Sequence, residues 1–155
     1  MFTSGIHGEG ITITQKPTIT AGAYVANDAV GGLLTFALAG RQVSEGGSIL
    51  VDVLIVDDAG QDAELELWLF NQTFTAMADN AAWAPAEADL ENCIAVVSTV
   101  GSVWRAAGTP SVCNVECTRR IDLSGTSLFG QLVTRGAPTY AATDDITVKV
   151  KLLQD

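Results

Sequence analysis

The chain has 155 residues, 48% hydrophobic and 17% charged, which is enough apolar material for one folded core and too regular a composition for disorder. Its 18 acidic residues outnumber 8 basic ones for a net charge of −10, which argues against nucleic acid as a partner, since phosphate binding needs clustered Lys and Arg and the cations look scattered. No apolar run approaches the roughly 20 residues that cross a bilayer, and MFTSGIHGEG lacks the basic-then-apolar order of a signal peptide, so cytoplasmic assembly without a membrane partner is expected.

In chain order, Met1 to Gly10 hold three glycines and no apolar period. Ile11 and Ile13 alternate with Thr12 and Thr14 as a short strand cut off before Pro17, and together these residues form an expected N-terminal arm over residues 1–15, ahead of a single β domain over 16–155. An extended piece follows over 18–25, and Asn27, Asp28, Gly31 and Gly32 bracket a connection into a strand over 33–39. Residues 48–56, SILVDVLIV, are apolar on both faces except at Asp52, so this strand belongs between covered layers or against a partner chain. Asp57, Asp58 and Gly60 supply turn chemistry, and residues 63–70, AELELWLF, return as the expected second arm of a hairpin. Leu65, Leu67 and Leu69 share one face of it, while the other passes from Glu64 and Glu66 to Trp68 and Phe70, from water into cover.

Residues 75–92 change character, rich in alanine, with Pro85 and acidic residues predicting a helical turn or two over 85–92 inside a long insertion. Trp83 within it needs burial on the sheet or on another subunit. Further strands are expected over 94–100, 112–123 and 127–135. The terminal DITVKVKLLQ alternates strictly, Ile146, Val148, Val150 and Leu152 against Thr147, Lys149 and Lys151. Short strands separated by Gly, Pro, Asp and Asn predict an all-β fold, a jelly-roll-like antiparallel β-sandwich with one short helical insertion and an extended N-terminal arm.

Chemistry is thin along this chain. The lone histidine, His7, sits in the glycine-rich start, a poor platform for a general base. Glu64 and Glu66 lie on one strand face and no aromatic cleft surrounds them, so paired-carboxylate hydrolysis is not expected. The acidic turns Asp57-Asp58, Asp79-Asn80 and Asp144-Asp145 could meet at one end of a sandwich around calcium, but none matches a calcium loop, and ordinary turn roles are favoured. Asn71-Gln72-Thr73 fits a glycosylation sequon and is read as a polar strand end. Cys93, Cys113 and Cys117 form no disulfide framework. On one strand Cys113 and Cys117 would stand about 13 Å apart, too far to bond, which leaves buried thiols acting as small hydrophobes. The expectation is a non-enzyme without metal or cofactor.

Three blocks, PTITAGAYVANDAVGGLLTFA, AELELWLFNQTFTAMADNAAW and SGTSLFGQLVTRGAPTYAATDDITVKVKLLQD, covering about half the chain, resemble the small capsid decoration (cement) proteins of tailed bacteriophages. That resemblance implies a β-rich virion protein, often trimeric, that sits on the outer face of the head and ties neighbouring units of the major capsid protein together. Its expected partners are sister copies and the capsid protein. Ile6, His7, Ile11, Ile13, Trp68, Phe70 and Trp83 are the expected contact residues, with the arm ordering on the shell. A phage tail or head–tail component and a carbohydrate-binding sandwich using Trp83 or Trp104 are the alternatives.

Overall fold

The computed structural model describes residues 9–37, 39–40 and 47–154. Among these the chain forms β1 (Glu9–Gln15), β2 (Ala29–Phe36), β3 (Gly47–Asp57), β4 (Leu65–Phe70), α1 (Glu87–Leu90), β5 (Cys93–Ser98), β6 (Trp104–Ala106), β7 (Ser111–Asp122), β8 (Leu128–Thr134) and β9 (Ile146–Gln154). They build two antiparallel sheets, β1-β9-β3-β7-β6 and β2-β8-β4-β5. The pairs β1–β9, β2–β8, β3–β7 and β4–β5 alternate between the sheets, as when one long hairpin is wound around a barrel. This is the jelly-roll order, with β6 added at one edge.

Period-two alternation places one face of every long strand inside. Leu50, Val53 and Ile55 of β3, Leu65, Leu67 and Leu69 of β4, and Val148, Val150 and Leu152 of β9 are all buried between the sheets. One end of the sandwich is closed by Tyr24 and Tyr140, whose rings meet edge to face at 5.7 Å.

Several expectations are corrected. β3 and β4 are not a hairpin: they lie in different sheets, and β3 pairs with β7 on one side and β9 on the other. Both strands have an inward face that must be buried, and crossing between sheets buries both. The crossing turn depends on Gly60, whose φ is +61° and whose added Cβ would meet the Thr109 carbonyl oxygen at 2.1 Å.

In the described part of the arm expected over 1–15, the short strand expected from Ile11 to Thr14 is present and extends further at both ends. Glu9–Gln15 is an edge strand registered along β9, with Ile11 and Ile13 half-buried against the core. Gly31 and Gly32 lie inside β2 at a register shift, because Gly31 takes φ +74° over Pro17. Residues 18–25 make no strand beyond the isolated Ala23–Thr139 bridge; Ile19 and Tyr24 instead plug the sandwich end.

Candidate interaction face

The two sheets treat their outer faces differently. Outside the four-stranded sheet, the insertion over 71–92 provides cover from within the chain. Phe74 stacks on Phe70 with centroids 3.9 Å apart, Trp83 tilts against Trp68 at 5.3 Å, and the Gln131 side chain ties the insertion down. Gln131 Nε2 donates to the Gly31 and Met77 carbonyls at 2.8 and 2.7 Å, and its Oε1 accepts from the Met77 amide at 3.0 Å. Phe70 is fully buried and Trp68 half-buried, its indole N–H donating to Glu66, which in turn pairs with Arg135. Trp83 is half-buried as well. Ile6 and His7 lie outside the described residues, and Ile11 and Ile13 face the core. The structure therefore brings Trp68, Phe70 and Trp83 together, but spends Phe70 inside its own chain.

Outside the five-stranded sheet the described residues supply no such cover. The doubly apolar β3 runs through its middle with Ile49, Val51, Leu54 and Val56 half-exposed. Strand register lays polar groups beside them in rows. One row crosses Thr12, Lys151, Asp52 and Glu116; the next crosses Thr14, Lys149, Leu54 and Asn114; a third crosses Thr147, Val56, Val112 and Arg105. Thr12, Asp52, Leu54, Asn114, Lys149 and Lys151 line an open groove of about 340 Å³. A second groove shares Asn114 and continues past Val112 and Arg105 to Val103, which is 64% exposed.

The cations that look scattered along the sequence converge here. Arg105, Arg120, Lys149 and Lys151 stand on the outward side of β6, β7 and β9, whereas Arg119 lies opposite the buried Leu50 and so on the other side of the sheet. Among the described residues Lys149, Lys151 and Arg105 have no ion-pair partner. The sequence marks the apolar residues of β3 with Asp52, and the alternating Thr147, Lys149 and Lys151 of β9, but not that register sets them side by side. A signal was present, however: the sequence has no Lys or Arg between Arg41 and Arg105, so its positive charge is concentrated in the strands that build this sheet.

At the sandwich end the acidic turns serve the backbone. Asp57 is buried, and its carboxylate accepts the amides of Ala59, Gln61 and Asp62 at 3.0, 2.8 and 3.1 Å. Burial pushes its carboxyl above the usual value, and these amides oppose the shift. Asp145 accepts the amides of Ala141 and Ala142, both at 2.8 Å, while Asp79 accepts from Thr20, Tyr24 and the Gly31 amide, each at 2.6 Å. Burial raises the Tyr24 and Tyr140 phenols, keeping both protonated. Among the described residues no group of three or more His, Cys, Asp and Glu is placed to hold a metal. All three cysteines are free thiols, raised by burial. Trp104, an alternative sugar-stacking residue, is half-buried against the core.

Neither a family model nor a curated protein matches the chain at a significant level.

Proposed function

We propose that the chain is a capsid decoration protein of a tailed bacteriophage, a non-enzymatic structural component that binds the outside of the head as a homo-oligomer and stabilises it. The observation that carries this reading is the asymmetry of the sandwich. One sheet is covered by the chain's own insertion, and the other presents half-exposed aliphatic side chains among lysines and carboxylates that have no ion-pair partner among the described residues. An apolar centre with a polar, charged rim is the composition of a protein–protein interface. The resemblance in sequence texture supplies the head as the partner, and the acidic surface suits a position away from packaged DNA.

Stabilisation follows from linkage. A protein that binds the expanded shell, and neither the precursor shell nor free subunits, lowers the free energy of the expanded form at every occupied site. Purified protein mixed with expanded heads and with precursor shells of the phage that carries the gene should co-sediment with the expanded heads alone, at saturable stoichiometry, and raise their rupture temperature. Heads that sediment bare would overturn the reading.

A further inference from the structure

The five-stranded face and the insertion of the same chain each set an exposed or half-exposed leucine beside charged groups, lysines on the face and glutamates on the insertion. The face offers a half-exposed Leu54 between Lys149 and Asn114, with Lys151 beside Asp52 and Glu116 in the next row and Arg105 at its far side, about 14 Å from β9 across three strand spacings; the two lysines on β9 form its positive edge. The insertion offers the reverse. Leu90 of α1 is 39% exposed, flanked one turn away by Glu87 and next to it by Glu91, both exposed and neither in an ion pair among the described residues. No basic residue lies anywhere in the segment that carries them, from Gln42 to Trp104.

The insertion covers the outside of the four-stranded sheet, whereas the lysines stand outside the five-stranded one. One copy's acidic knob therefore has its match on the surface of a second copy, not on its own.

We propose that two copies dock head to tail, α1 of one seated on the β9-β3-β7 face of the next, with Leu90 against Leu54 and Val56 and with Glu87 and Glu91 opposite Lys149 and Lys151. The inference deepens the homo-oligomer part of the reading above and rests on it for the existence of a self-contact. Such a contact is heterologous, since each copy uses two different patches, and it builds a ring when the rotation between copies closes. Opposite charges at the rim fix register and steer encounter, while the aliphatic centre supplies the buried area.

Sedimentation velocity of the full chain reads this directly. The parent protein should sediment as a closed oligomer. Lys149→Glu with Lys151→Glu, or Glu87→Lys with Glu91→Lys, should weaken self-association by more than about tenfold, since each pair sets like charges face to face. The chain carrying all four substitutions should reassociate. Circular dichroism checks that each variant keeps its β fold, and zero-length carbodiimide coupling of the parent protein should join Lys149 or Lys151 to Glu87 or Glu91 of another copy. A monomeric parent protein, charge-swapped pairs that sediment like the parent, or a fourfold variant that stays dissociated while folded would each overturn the proposal. An oligomer that never binds heads leaves this contact standing and removes the capsid role; a monomer that decorates heads does the opposite.

Discussion

Buried polar side chains do specific work in this sandwich. Gln131 is the sharpest case: fully buried on β8, it satisfies two carbonyls and one amide belonging to β2 and to the insertion. Gln131→Leu keeps the volume but leaves those backbone groups unpaired. It should cost about 3 kcal/mol in chemical denaturation, because each buried orphan carries its full desolvation penalty. A loss below about 1 kcal/mol would show that water replaces the amide.

Asp57 makes a prediction in pH. Its carboxyl is raised in the folded chain, so the native state holds this proton more tightly than the unfolded chain does. The stability it contributes is complete below the ordinary value of 3.8 and is lost as pH rises through the folded-state value. A carbon-detected NMR titration should find its midpoint above 3.8; a midpoint below would mean that the three amide donors outweigh burial.

Strands and their inward faces were legible from alternation alone. Ile146 to Leu152 in β9 and the three leucines of β4 read correctly because a pleated strand can bury only every second side chain. Pairing was not legible. The turn chemistry at Asp57 to Gly60 suits a hairpin as well as a crossing, and only the need to bury the inner faces of β3 and β4 on opposite sides of one core decides between them. β6 is three residues long, too short to show a period, and the glycines of β2 imitate a turn while forming a bulge. The charge rows of the outer face are a product of register between strands from opposite ends of the chain, so alternation within each strand could not reveal them.

The edge strand β1 separates two truncations that the sequence alone treats as one. Removing residues 1–8 keeps β1 in place. Removing 1–15 also strips the partner of β9 and the cover given by Ile11 and Ile13, and should cost about 3 kcal/mol in a denaturant titration. Equal stability of the two truncated chains would mean that β1 contributes nothing to the sandwich. Loss of shell binding by the longer deletion is thus to be compared with its loss of fold.

The molecule as a whole is a jelly roll whose four-stranded sheet is covered by its own insertion and whose five-stranded sheet has an outer face that the described residues leave uncovered. The net charge of −10 is unevenly spread, with acids dominating the insertion and the unpaired lysines standing on the opposite sheet. A chain polarised in this way favours ordered contacts between copies over indiscriminate association. Single-particle imaging of expanded heads saturated with the protein would show whether, and by which face, it binds the shell. Sandwich-shaped density is expected on the outer surface of the shell, with the outer face of β9-β3-β7 covered by a neighbouring copy. Bare heads, or bound copies whose five-stranded face points into open solvent, would contradict this expectation.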